Sequence, residues 1–513
     1  MAPGESPPQS ASTAAVEPPL GTRIARGTLI QQVALAVAVL AGFVTTTVLA
    51  RSLSLAEFGV YGFVVALASY LYFVIQTAET AAVNEMALAG DHDALELAFT
   101  RSVLIYGGLG VAAGIVIGIG GALLVSVLGF SLRLTHQAQI GAVAIGLLTA
   151  IGWAVKVFQD YLRAIHRFTE ASISEATGSV LLCATITAAV GLGAPLWVLI
   201  AAGGSFPLYV GLTAFAFATA RGVRCRLRPR EVHVSELRSL LGFSSGLLVI
   251  SSSDFVVNSL DRTIVGVLRS AATLGLYEAA AKLNGLIRMW VANLNVTMLP
   301  VLSRMHTEGD RDRERTMLLM GTRYMLVATV GPTVALMVLC DRLLAVWLGV
   351  RYVAAAPTAV IFLAVWLVSP NLSIASTMTI VSRRLRQLGI AAWVGAAINL
   401  ALSIALTAWL GVVGVAIGTF VAYIALIPYF ASFALAGRGV TAADFTRVVW
   451  TPAYGLGLVL AAGLLAVRLV VPLDHLWSVL AVLVVAVVAY WGGFYLLATD
   501  PEERAMLRSV FGR

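Results

Sequence analysis

The chain has 513 residues, of which 59% are hydrophobic and 12% charged, and its mean hydropathy is +0.91. Soluble domains carry about a quarter charged residues, so the composition excludes a soluble globular protein and points to an all-α protein that crosses the membrane many times. The formal charge of +8 comes from arginine, only Lys156 and Lys282 being lysines; in such a protein basic loops fix topology, and no nucleic-acid partner is expected.

Residues 1–22 are rich in Pro, Ser and Ala and are expected to form a disordered cytoplasmic tail. Arg23 and Arg26 precede an apolar run from Thr28 to Ala50 that is too long for the core of a signal peptide, so it reads as an uncleaved first span. Runs of about 20 apolar residues then follow one another, each long enough to cross about 30 Å of hydrocarbon. Fourteen spans are predicted, at 28–50, 58–80, 102–128, 140–161, 171–192, 196–219, 243–267, 274–300, 320–341, 354–378, 388–410, 414–436, 449–471 and 476–498. The chain divides into an N-terminal six-helix lobe (23–219), a basic cytoplasmic linker (220–242), a C-terminal six-helix lobe (243–436), and two additional helices with a cytoplasmic tail (437–513).

With the N-terminus inside, 23 of the 34 basic residues fall in inside segments, 5 in outside loops and 6 within spans. That asymmetry fits a multi-pass protein of a bacterial cytoplasmic membrane with both termini cytoplasmic. Gly59-Val60-Tyr61 recurs as Gly275-Leu276-Tyr277 after 216 residues, and Arg221-Gly222-Val223 as Arg438-Gly439-Val440 after 217. Six spans per unit carry both copies into the membrane in one direction. The repeat is therefore parallel and predicts two lobes around a central cavity.

An ionisable residue at mid-membrane costs about 2.5–3.5 kcal/mol on insertion scales, so it normally faces other helices or water. The seventh span sets Ser251, Asp254, Asn258 and Asp261 on one helical face, with Arg262 beside it. The eighth pairs Glu278 with Lys282 at i,i+4 and carries Asn284, Arg288 and Asn295 as a second stripe. Both faces are expected to line the cavity; the plainer reading, in which the charges only neutralise one another, stands beside this one. Glu79, at the inner end of the second span, is a further cavity candidate. Arg51 closes the first span at a cavity mouth, although snorkelling accounts for it as simply. Lys156 and Asp160, also at i,i+4, read as an interfacial pair, and the basic run RGVRCRLRPR at 221–230 as a topology signal that meets anionic lipid.

No GxxxxGK[ST] loop, HExxH or GxSxG occurs, and the outside loops leave no room for an extramembrane catalytic region. An enzyme is not expected. Cys183, Cys225 and Cys340 are isolated, which argues against a disulfide framework or a zinc site, and neither a metal nor a cofactor is expected.

The stretch VLARSLSLAEFGVYGFVVAL (48–67), the Asp261-Arg262 pair followed by Leu274-Gly275-Leu276-Tyr277, and Trp347-Leu348-Gly349 with Tyr352 together resemble the polysaccharide transporter family. These are the Wzx-type flippases of the multidrug/oligosaccharidyl-lipid/polysaccharide exporter superfamily, and the resemblance runs from about residue 24 to 500. It implies two six-helix lobes in a V, with spans 1, 2, 7 and 8 lining the cavity. It also implies a cargo, an undecaprenyl-pyrophosphate-linked oligosaccharide moved from the inner to the outer leaflet, with glycan polymerases or glycosyltransferases as partners. Arginine and lysine suit a pyrophosphate; the candidates are Arg262, Lys282, Arg288 and Arg51. In departure from a cationic cavity, Asp254, Asn258, Asp261, Glu278 and Glu79 add acid and amide, which leaves open a near-neutral cavity or coupling to Na+, H+ or the membrane potential.

Two alternatives belong to the same superfamily. A lipid II-type flippase shares the fourteen spans. A cation-coupled multidrug antiporter usually has twelve, with an acid in the first helix, where this chain has only Gln31, Gln32 and Thr45 to Thr47 as polar residues; Asp254 or Asp261 would have to substitute. A scaffold for glycan assembly finds no docking domain in the sequence.

Overall fold

The computed structural model describes residues 20–220, 222, 226–233, 235–237, 245–308, 311–381, 385–435, 440–501 and 503–505. The tail expected at 1–22 lies outside the described residues as far as residue 19, as does part of the 220–242 linker. Among the described residues there is no strand.

The N-terminal half comprises α1 (Leu20–Ser52), α2 (Leu55–Tyr70), α3 (Tyr72–Ala87), α4 (His92–Val127), α5 (Leu132–Ala164), α6 (Phe168–Gly191), α7 (Leu196–Gly203) and α8 (Phe206–Ala220). The C-terminal half comprises α9 (Ser245–Leu268), α10 (Ala271–Glu308), α11 (Arg311–Trp347), α12 (Ala356–Val368), α13 (Pro370–Val381), α14 (Leu385–Leu410) and α15 (Val412–Leu435). Two further helices, α16 (Ala442–Val470) and α17 (Leu476–Leu497), pack on α11. Short polar breaks reverse the chain between them. Ser54 and Glu57 form a capping box that starts α2, an arrangement that contributes about 1 kcal/mol. Gly411, at φ +66°, makes the tight turn from α14 into α15.

Among the described residues ten helices are long and apolar enough to cross a membrane, or up to 12 if the bent pairs α2–α3 and α7–α8 each count as one span. This is compatible with fourteen crossings, because α9 and α10 fall short for a local reason: they carry Asp254, Asp261, Arg262, Glu278, Lys282 and Arg288. We call the end where α1 begins proximal and the end where it finishes distal.

One hydrophobic core runs through the N-terminal half and crosses into the other by way of Leu274, Ala279 and Leu344. A second core, built around Leu326, Leu363, Ile374 and Val449, contains no residue of the N-terminal half. The halves thus share one core distally, while the C-terminal half has a second core of its own and meets the N-terminal half there through contacts such as Tyr70 with Thr263 and Phe255. Of the basic linker, Arg228 docks on the first turns of α4, 2.6 Å from Asp93 and 2.9 Å from Glu96. That arginine is therefore paired with protein carboxylates and not left to lipid. Arg101 of α4 binds Glu236 at 3.0 Å, and the His233 backbone N–H, with Arg101, holds the Glu236 carboxyl below the usual carboxylate range.

Candidate functional site between the two halves

The two copies of the Gly-x-Tyr repeat meet face to face. A Cβ on Gly59 of α2 would stand 2.5 Å from both the Ala271 carbonyl oxygen and the Gly275 nitrogen of α10, and one on Gly275 would strike the Leu55 carbonyl. Only glycine lets these backbones touch. Distal to this crossing, two arginines exchange places. Arg51, at the end of α1, donates to the Val346 and Trp347 carbonyls at 2.6 and 3.1 Å. Arg351, just after α11, donates to the Leu53 carbonyl at 2.7 Å and to that of Ala50. Each half thus supplies the cap for the other's open helix C-terminus. The Trp347 indole N–H donates to Thr47 Oγ1 at 2.7 Å, and its ring stacks on Phe43 with centroids 4.4 Å apart. Arg51 is therefore placed at the distal closure.

One turn proximal of the glycine crossing lies the charged centre. Glu278 is buried, and a Cβ on Gly62 of α2 would lie 2.5 Å from its side-chain carbons; Gly62 makes room for an acid from the opposite half. Arg262 of α9 donates to Glu278 Oε1 at 2.7 Å and lies over the Tyr277 ring, 5.7 Å from its centroid. Lys282 follows Glu278 by one turn on the same face. It is exposed, and among the described residues it makes no hydrogen bond or salt bridge. Since the Glu278 face looks at α2, Lys282 stands on the face of α10 turned toward the N-terminal half. Arg288, further along α10, is half-buried and not on this face. The side chains of Asp254 and Asn258 lie outside the described residues.

Asp261 turns the other way, into the C-terminal half, and is buried. Thr419 Oγ1 of α15 is 3.3 Å from its Oδ2 and accepts from Asn399 Nδ2 of α14 at 2.9 Å. The Ser403 hydroxyl faces the same carboxylate. Gly418 draws α15 against α14 here, for a Cβ on it would be 2.8 Å from Ser403 N and Oγ. Asp261 Oδ1, Asn399 Oδ1 and Ser403 Oγ are buried without hydrogen-bond partners; the carboxylate feels the charge of the neighbouring Arg262 but makes no salt bridge among the described residues.

Glu79 is placed elsewhere, inside the N-terminal half. It is ion-paired with Lys156 of α5, and Lys156 Nζ also lies 3.9 Å from Asp160 Oδ2. Arg163 reaches Asp160 at 3.0 Å and Glu175 of α6 at 3.4 Å, while Tyr106 Oη donates to Asp160 at 3.1 Å. Lys156 and Asp160 are thus not an interfacial pair but the centre of a buried network. The sequence did not reveal Asn399, Ser403 and Thr419, which are neutral residues on apolar spans.

Comparison with solved structures defines the fold. A lipid II flippase MurJ in an inward closed conformation superposes with a TM-score of 0.70 at 12% identity, over 91% of this chain and 99% of that one. An inward-facing multidrug resistance MATE family transporter of the MOP superfamily gives 0.61 at 16% identity, over 80% and 100%. A MOP superfamily transporter from Pyrococcus furiosus gives 0.54 at 16%, over 82% and 96%. A search of curated proteins finds no match. A family described as "Polysaccharide biosynthesis protein" matches residues 48–357, and the chain belongs to that family. It is a multi-pass membrane protein with the fold of the MOP superfamily.

Proposed function

We propose that the protein moves a polyprenyl-pyrophosphate-linked oligosaccharide from the inner to the outer leaflet of a bacterial cytoplasmic membrane by alternating access, for assembly of a cell-surface polysaccharide. The observation that carries this reading is Lys282, an exposed cation with no hydrogen bond or salt bridge among the described residues, on the face of α10 turned toward the N-terminal half. A sugar–pyrophosphate head cannot cross hydrocarbon unaided, because each polar group buried without a partner costs several kcal/mol. A gap open at the proximal, cytoplasmic end supplies those partners, and the ammonium supplies countercharge. Arg262 is a positioning residue: its charge is answered by Glu278, and together they hold α9 against α10.

Asp261 supports coupling to a cation. A buried carboxylate ringed by neutral oxygens with free acceptor capacity suits a monovalent cation or a proton. Rocking of the lobes about the glycine crossing would then expose the cargo on the outer face, where a glycan polymerase or glycosyltransferase takes it up.

Mass spectrometry of polyprenyl-linked saccharides tests the reading. Cells carrying Lys282→Ala, with normal insertion, accumulate one pyrophosphate-linked oligosaccharide, and Lys282→Arg relieves the accumulation. Unchanged lipid-linked pools in cells lacking the protein, together with new sensitivity to cationic drugs, would instead favour an antiporter, the reading that Asp261 alone would permit.

A further inference from the structure

Toward the proximal end lies a cavity of about 230 Å³ lined by α1, α6 and the end of α5, to which α10 adds Asn293. Its polar lining is Gln31, Gln32, Arg163, Ser172, Glu175 and Asn293. What distinguishes it is unused hydrogen-bonding capacity. Gln31, Gln32 and Ser172 have no hydrogen-bond partner among the described residues. Asn293 donates one amide hydrogen to the Met289 carbonyl at 2.9 Å, and its carbonyl oxygen accepts no hydrogen bond among the described residues. Glu175 receives Gln159 and Arg163 on Oε2, both at 3.4 Å, so Oε1 remains an acceptor.

Three carboxamides, a hydroxyl, a carboxylate and a guanidinium combine donors and acceptors in near balance. A phosphate would want donors alone, and an apolar drug neither. The alternating donor and acceptor demand of adjacent hydroxyls matches this set, and Phe168 adds an apolar wall for a ring face. Asn293 stands on the same face of α10 as Lys282, eleven residues further on, a distance of about 16 Å along the helix.

From this placement we infer that the cavity is a saccharide subsite, built from Gln31 and Gln32 of α1, Ser172 and Glu175 of α6 and Asn293 of α10, that reads sugar hydroxyls of the cargo while its pyrophosphate sits at Lys282. The inference rests on the flippase reading. It places selection among glycans at the loading end, shared between the two lobes, so that a glycan lacking the right hydroxyls leaves these amides unsatisfied.

The test uses purified full-length protein and native mass spectrometry with two probes: undecaprenyl pyrophosphate without sugar, and the pool of undecaprenyl-pyrophosphate-linked saccharides extracted from host membranes. Wild type prefers a saccharide-bearing probe. The double variant Gln31→Leu, Gln32→Leu, close in volume but without amides, lowers that preference about tenfold, as one or two lost hydrogen bonds imply, and leaves the bare probe's affinity unchanged. Asn293→Ala acts in the same direction from the opposite lobe, while Lys282→Ala weakens both probes alike. No preference in the wild type, or a preference that survives both amide variants, overturns the subsite and leaves the flippase reading standing provided the bare probe binds through Lys282. Binding of neither probe removes both.

Discussion

The two halves bury acid in different company. In the N-terminal half Glu79 and Asp160 are matched by Lys156 and Arg163, with Tyr106 completing the shell of Asp160. In the C-terminal half Asp261 is surrounded by Asn399, Ser403 and Thr419, none of which carries charge. The first arrangement neutralises itself and fastens α3, α4, α5 and α6 together. The second has no salt bridge among the described residues and keeps free acceptor capacity. A buried acid is therefore not by itself a sign of transport chemistry; under the reading proposed above, the presence or absence of a salt-bridge partner separates the structural acids from the functional one.

The sharpest way to break this comparison is to remove one partner on each side. Lys156→Ala strands the buried Glu79 carboxylate and should cost about 3–5 kcal/mol of stability, read as a large fall in the thermal midpoint in detergent. Asp261→Asn should do the reverse: it keeps shape, removes an unmatched charge, and leaves the midpoint within about 1 kcal/mol of wild type or above it, while transport in proteoliposomes loses its dependence on Na+ or pH. Equal destabilisation by the two variants would erase the distinction. Next in size, Gly418→Ala pushes α15 from Ser403 and should cost about 1–3 kcal/mol, with a partial loss of the same ion dependence. Arg51→Ala combined with Arg351→Ala uncaps α1 and α11 at once. A cysteine placed at Thr47 should then react with an impermeant thiol reagent several-fold faster, each lost capping contact being of the order of 1 kcal/mol; an unchanged rate would mean that the distal closure does not depend on these caps.

The smallest effect concerns the linker. The Glu236 carboxyl is held low by the His233 N–H and then Arg101, so its contribution is present above the ordinary glutamate range, about 4.3, and is lost as pH falls through the lower folded value. Limited proteolysis between 226 and 237 should show the segment protected near neutral pH and released only in acid below that range. Release near neutrality would contradict the pairing.

Much of the architecture was legible because it is written in periodicity. Long apolar runs give the helices, and the i,i+4 spacing of Glu278 and Lys282 puts both on one face of α10, where Glu278 meets Gly62 of α2. The repeat of Gly59-Val60-Tyr61 at 275–277 proved to be two halves of one contact. What stayed hidden depends on residues far apart in the chain. Lys156 and Asp160 looked like a local i,i+4 pair because Glu79 lies 77 residues away. Asp261 gave no hint of its surroundings, since Thr419 is 158 residues distant and a threonine in an apolar span is ordinary. Arg51 drew attention as a charge, but the groups it meets are backbone carbonyls, which no sequence pattern marks.

The contact between Gly59 and Gly275 also has a mechanical meaning. It lies four residues from the start of the 38-residue helix α10, about 6 Å from one end and about 50 Å from the other. With no side chain between the two backbones, nothing there must be repacked when the helices tilt. Such a point acts as a fulcrum with very unequal arms: a displacement of about 1 Å at the short end corresponds to about 8 Å at the long one. In the rocking motion proposed above, breaking the few arginine contacts at the distal tip would thus be geared to a large sweep of the proximal end.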